Sequence, residues 1–212
     1  MMSLSDPSLD FQHPEEYKAE KYTGKLHPEI LMHPNIPKPL HEVNPRNIMG
    51  QVAWDVVRQE AYASTNYHCI ACGVHKSQAK GYQWLEAHEF YNIDYDTGKV
   101  EVDRIIPLCH YCHNFIHSGR LSMIIGKEKT KEEVIEILEH GFKILSIEEL
   151  PCFYFTLHLA HEIGADTYGV LPATTPDGET PAWEDWRLVW EGVEYPPVYK
   201  TYEAWKKRYS NG

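Results

Sequence analysis

Four cysteines stand in two short-spaced pairs, Cys69-x-x-Cys72 and Cys109-x-x-Cys112, with 36 residues between them. A turn closed by C-x-x-C can place two thiolates on one side of an ion. Two such turns supply a tetrahedron of sulfurs at ~2.3 Å, the arrangement that suits zinc. Four protein ligands leave no open coordination position, so the predicted role is structural. The ion would clamp the start of one strand to a helix that follows a second strand. Gly73, directly after Cys72, tolerates the backbone angles that knuckle turns often need. Two redox dithiols, or buried cysteines that bind no ion, are the competing readings. The fifth cysteine, Cys152, stands alone in an apolar run and reads as a small buried hydrophobe.

Three histidines lie inside or just after these knuckles. His113 and His117 are four residues apart, which on a helix puts both imidazoles on one face about one turn apart. His88 lies in a predicted strand, flanked by Glu86 and Glu89. Two helical imidazoles and one from a strand make a three-nitrogen set with open positions, the layout of a catalytic divalent metal. The N-terminal histidines His13, His27, His33 and His41 have neither helical nor knuckle spacing and read as non-ligands. His158 and His161, beside Glu162 in an apolar run, read as packing residues.

The elements that must position these groups follow from pattern. Residues 1–47 are rich in Pro and His and predict an extended arm with little regular structure. Residues 48–64 predict a helix with Val52, Val56, Gln59 and Ala63 on one stripe, widened by Trp54, Val57 and Ala61. Residues 84–90 and 99–107 read as strands joined by a turn at Asp96, Thr97 and Gly98. The run from Asp94 to Gly98 resembles a calcium loop but lacks the later ligands, so a hairpin turn is expected. Residues 110–119 predict a short helix ending at Gly119.

Thr130 and Glu133 have capping-box spacing at the head of a helical stretch over 130–149, in which Gly141 is expected to end a first segment. Residues 150–164 predict another helix, and 165–182 a loop. The aromatic-rich C-terminal segment is expected to pack back on the body, ending in a docked helix. Four segments result: an arm (1–47), a zinc-centred core (48–125), a helical extension (126–164) and a loop with an aromatic segment (165–212).

The run C-x-x-C-G, then LEAHE, then IIPLCHYCHNFIH, resembles the HNH nuclease family in its four-cysteine form, over about residues 66–120. The resemblance implies an α+β fold: a zinc-stabilised ββα-metal core with additional helices and long N- and C-terminal extensions. It implies a metal-dependent endonuclease hydrolysing phosphodiester bonds in DNA, with RNA as a possible substrate. The implied cofactors are structural zinc and a second divalent ion, Mg, Mn, Ni or Zn. By position, His88, His113 and His117 match the family's metal ligands. The residue after the first ligand is the family's general-base histidine, and here it is Glu89. The Asn that orients that base falls at Arg104. Glu89 would then orient or deprotonate the attacking water, and Arg104 would contact the phosphate or pair with Glu89. Lys76, Lys80 and Arg120 could hold flanking phosphates. The alternative is a zinc module on the same fold that has lost catalysis and binds nucleic acid or a protein.

The chain has 212 residues, 31 acidic and 20 basic, a net charge of -11. That balance argues against a nonspecific nucleic-acid coat protein, because phosphate binding draws on Lys and Arg. Residues 61–125 carry five basic and six acidic side chains, so most of the negative charge lies in the flanks. No stretch approaches the ~20 apolar residues of a membrane span. The N-terminus has no basic-then-apolar signal pattern, and an odd cysteine count fits a disulfide framework poorly, so a cytoplasmic location is expected.

Overall fold

A computed structural model of the chain describes residues 24–145 and 181–209. Cys152, His158, His161 and the helix expected over 150–164 lie outside the described residues. The described chain is mixed α+β, with a four-stranded sheet in the order β1-β2-β3-β4. Its elements are α1 (Pro45–Ser64), β1 (Leu85–Asp94), β2 (Lys99–Cys109), α2 (His110–Ile116), α3 (Ser118–Ile124), α4 (Lys131–Leu145), β3 (Arg187–Trp190), β4 (Val193–Tyr195) and α5 (Tyr202–Tyr209). Among the described residues no helix is long and apolar enough to cross a membrane. The chain divides into two compact units.

The first unit holds described residues 24–34, 60–88 and 106–145. Its first knuckle is a tight loop in which Gly73 N–H donates to Cys69 O at 2.8 Å and Cys69 N–H to Val74 O at 2.9 Å. Gly73 has φ 74°, a left-handed angle a glycine adopts at little cost. The knuckle is tied on both sides: Ile70 N–H donates to Pro107 O at 3.0 Å, and His27 N–H donates to Ile70 O at 3.0 Å. The arm therefore does not run free here. A 3-10 turn over Pro28–Met32 buries Ile30 and Leu31 and packs against α2 and α4.

The helix expected over 110–119 is interrupted at His117, whose φ of -85° and ψ of 42° separate α2 from α3. Gly119 is not the break. At the head of α4 the capping box forms as read, with Thr130 N–H to Glu133 Oε2 at 2.7 Å and Glu133 N–H to Thr130 Oγ1 at 3.2 Å. Gly141 does not end a segment, because α4 runs through it to Leu145. Its physical reason is close approach: a Cβ at Gly141 would overlap the ring of Phe115.

The second unit holds described residues 35–59, 89–105 and 181–209. Here β3 runs parallel to β2, with Val100 opposite Leu188, and β4 returns antiparallel, with Leu188 opposite Tyr195. The β3–β4 turn uses Glu191 and Gly192, both at positive φ, as a two-residue hairpin requires. Leu40, Val43, Tyr91, Val100, Val102, Trp186 and Leu188 form the buried cluster. Among the C-terminal aromatics, Trp205 Nε1–H donates to His41 Nδ1 at 3.1 Å, and Tyr199 donates to Glu42 at 2.8 Å. The sequence reading missed this hairpin.

It also mis-set the face of α1. Val52 and Val56 are 72% and 57% exposed, whereas Trp54 is buried. Gly50 takes non-helical angles, φ 79° and ψ 165°, so the stretch is two helices across a kink rather than one continuous stripe.

Candidate metal centres

Both candidate clusters lie in the first unit. β2 ends in Cys109, which also caps α2: its thiol accepts the Cys112 N–H at 3.5 Å. The cap and the C-x-x-C turn are thus one structure. Cys69, Cys109 and Cys112 are buried and Cys72 is half-buried. All four cysteines are free thiols, and the four sulfurs lie within 4.8 Å of one another. The Sγ atoms of Cys72 and Cys109 are 3.8 Å apart. Sulfurs at ~2.3 Å from a tetrahedral zinc lie ~3.8 Å apart, so this edge already has the length an ion imposes. The cluster could bind a structural metal ion such as zinc. Hydrogen bonds from Cys112, Cys69 and Cys72 push the Cys109 thiol far down, as expected where one thiolate is shared among neighbours. Nε2 of His140 on α4 lies 3.3 Å from Cys112 Sγ, an outer hydrogen bond to the sulfur cluster.

The second cluster gathers His88 from β1, His113 from α2 and His117 from the α2–α3 junction. One ring nitrogen from each lies within 4.8 Å of the others. The ring centroids are 5.4 Å (His88–His113), 5.0 Å (His88–His117) and 4.6 Å (His113–His117) apart. Burial first, then the charges of His113 and His117, hold His88 well below the ordinary imidazole range. Burial first, then His113 and Arg120, push His117 down to about 3. Uncharged rings are what ligation needs. His88 is 2% exposed, and its Nδ1 has no hydrogen-bond partner in the protein. A buried polar atom left in that state is costly, and a cation at the centre of the three rings would satisfy it. The three histidines are a group that could hold a metal ion.

Glu86 organises one side of this cluster. Strand alternation puts it on the same face as His88, two residues on. Its carboxylate accepts from His110 Nδ1 at 2.6 Å and pairs with His113 Nδ1. Burial alone would raise the Glu86 carboxyl, but the bonds from His110 and His113 outweigh it and hold it at about 2. With Nδ1 of His113 engaged, its Nε2 is left for a ligand. Beyond it, Lys129 Nζ donates to His110 Nε2 at 3.0 Å, and Asn114 donates to His110 O at 2.8 Å. Glu86 was legible as a neighbour of His88 but not in this role. His110 and Asn114 had no signal beyond lying between the ligands.

The remaining candidate residues are placed as follows. Alternation directs Glu89 to the face opposite His88, and its charge, after burial, raises the Tyr91 phenol. Arg104 is exposed, 5.1 Å from the Phe90 ring centroid and 3.7 Å from Asp103. Lys76 is buried, with its amine 4.3 Å from the Tyr67 ring centroid. Lys80 is exposed, 6.0 Å from the Tyr111 ring. Arg120 is exposed, 3.4 Å from both Asn114 Oδ1 and Glu128 Oε2. No protein-family model matches the chain, and no curated protein or solved structure matches it.

Proposed function

We propose that the chain is a metal-dependent endonuclease of the HNH type, hydrolysing phosphodiester bonds in DNA. The observation that carries this reading is the convergence of His88, His113 and His117, with a buried Nδ1 of His88 left unsatisfied, beside a four-cysteine cluster. The order β1-β2-α2 supports it, since it is the order of a ββα-metal core.

His88, His113 and His117 would hold the ion. When bound, a divalent cation supplies Lewis-acid stabilisation of the charge that grows on the scissile phosphate and leaving oxygen. The chain's own residues supply the rest. Glu86 fixes the His113 ring. The cysteine cluster, through Cys109, fixes the start of the helix that carries His113. The resemblance alone would give Glu89 the water-activating role and Arg104 the phosphate contact. Lys80 and Arg120 are exposed and suited to flanking phosphates, whereas the Lys76 amine is occupied over Tyr67.

A second reading, a zinc module that binds nucleic acid or protein without cutting, is favoured by one observation. Glu89 stands in place of a base histidine, and its charge acts on Tyr91. Incubating zinc-loaded protein with supercoiled plasmid and Mg, Mn, Ni or Zn decides between them. Nicking that disappears in His113→Ala supports the nuclease. A folded wild type that cuts neither plasmid, single-stranded DNA nor RNA with any of the four ions sinks it.

A further inference from the structure

We infer that His33 is a positioning residue of the histidine site, accepting a hydrogen bond from Nε2 of His88 and so turning the Nδ1 of His88 to the ion. This rests on the metal reading of the three-histidine cluster and adds a residue to it that lies 55 positions away in the chain.

His33 Nδ1 lies 3.5 Å from His88 Nε2, and the two rings meet edge to face with centroids 5.5 Å apart. Both are buried, at 7% and 2% exposure. His33 also acts electrostatically on both His88 and His117, so it flanks the cluster.

The tautomer follows from accounting. A neutral imidazole carries one proton, on one of two nitrogens. If His88 bound an ion through Nε2, its proton would sit on Nδ1, buried with no acceptor. If it binds through Nδ1, the lone pair that has no partner meets the ion and the proton on Nε2 meets His33. Only the second choice satisfies both nitrogens. The arrangement mirrors His113, whose Nδ1 is taken by Glu86. Each of these two ligands then has its non-ligating nitrogen held by a neighbouring side chain, which is how protein metal sites fix ring orientation.

The backbone holds His33 for this task. Its N–H closes the Pro28–Met32 turn on Ile30 O at 3.0 Å. Its ψ is 130°, the extended value imposed on a residue that precedes proline, here Pro34. Ile30 and Leu31 anchor the turn against α2 and α4, and His27 N–H pins it to the first knuckle at Ile70 O, 3.0 Å away. The arm segment is therefore a wall of the site.

The test uses the full chain with its cysteine cluster loaded with zinc, titrated with Co(II). Cobalt d–d absorption reads the histidine site, and absence of a sulfur-to-cobalt charge-transfer band shows that the cysteines keep their zinc. Loss of an outer-sphere partner typically weakens a site ~10–100-fold. His33→Ala is expected to weaken cobalt binding by about that factor and to alter the d–d band. His33→Asn, whose Oδ1 sits close to where His33 Nδ1 sat, is expected to restore most of it. Long-range nitrogen–proton NMR should show His88 as the Nε2–H tautomer. Unchanged affinity and spectrum in a folded His33→Ala overturns the inference alone, as does an Nδ1–H tautomer for His88. Failure of folded His33→Asn to improve on alanine does the same. A wild type that binds no cobalt outside the cysteines overturns the metal reading beneath it.

Discussion

The sulfurs of Cys72 and Cys109 stand 3.8 Å apart although the two residues are 37 positions apart in the chain. That matches the ~3.8 Å edge expected of a tetrahedral zinc site and is far longer than a disulfide of ~2.05 Å. The purified protein is expected to carry one tightly held zinc. Cys109→Ser should lose the ion, the α2 cap and the clamp between the knuckles together. Structural zinc in small domains supplies on the order of 10 kcal/mol, so the variant, or wild type treated with a strong chelator, should melt well below the zinc-loaded protein. Elemental analysis with thermal denaturation checks this. An unchanged melting temperature after complete zinc removal would refute a structural role.

Glu86 joins His110 to His113, and its carboxyl is held at about 2 against an ordinary 4.5. A depressed acid stabilises the fold where it is ionised. Its contribution is complete above the ordinary value and is lost as pH falls from about 4.5 toward about 2. Glu86→Gln removes that charge, so its stability should fall less steeply than wild type across that window. Equilibrium urea titrations at stepped pH measure the slope, and parallel acid limbs for the two proteins would contradict the ion pair. The same variant should weaken second-metal binding by ~10–100-fold while the zinc of the cysteines stays.

Gly141→Ala gives the opposite sign to what helix propensity alone suggests. A mid-helix Gly-to-Ala change is ordinarily worth up to ~1 kcal/mol of stability. Here the added methyl would overlap Phe115, so a net loss of roughly 1–3 kcal/mol is expected. Adding Phe115→Leu should recover part of the loss. Urea denaturation of the two variants and the pair tests the contact, and a stabilised Gly141→Ala would show that α4 and Phe115 do not meet.

In the second unit, Leu188→Ala should cost ~2–5 kcal/mol, because the side chain is fully buried between β2 and β4 neighbours. Val193→Ala on the exposed turn side should stay within about 0.5 kcal/mol. Equal effects at the two positions would remove the basis for the parallel β2–β3 pairing.

Much of this was legible by counting. Cysteine spacing marked the knuckles, the spacing of His113 and His117 brought two rings to 4.6 Å, and Thr130 with Glu133 marked the head of α4. The turn before β2 was readable too: Asp94 accepts N–H bonds from Asp96 and Thr97, and Gly98 has φ 73°. These features rest on local geometry, where a few dihedrals decide which atoms meet.

Other features required the tertiary structure. Periodicity put Val52 and Val56 on the inner face of α1, but the helix buries Trp54 and Ala61 instead and leaves the two valines exposed. Gly141 looked like a helix end because a helix glycine has two uses, and only the position of Phe115 distinguishes close packing from a cap. Four residues of β3 and three of β4 are too short to carry a period, and they became strands by pairing with a strand some ninety positions earlier, as Val100 opposite Leu188 shows. The sequence by itself determined which residues could bind a metal, because ligand chemistry belongs to the side chain. Which neighbours the rings meet was decided in space, Glu86 at His113 and His33 at His88, since a ring's hydrogen bonds depend on partners that the chain brings together only when folded.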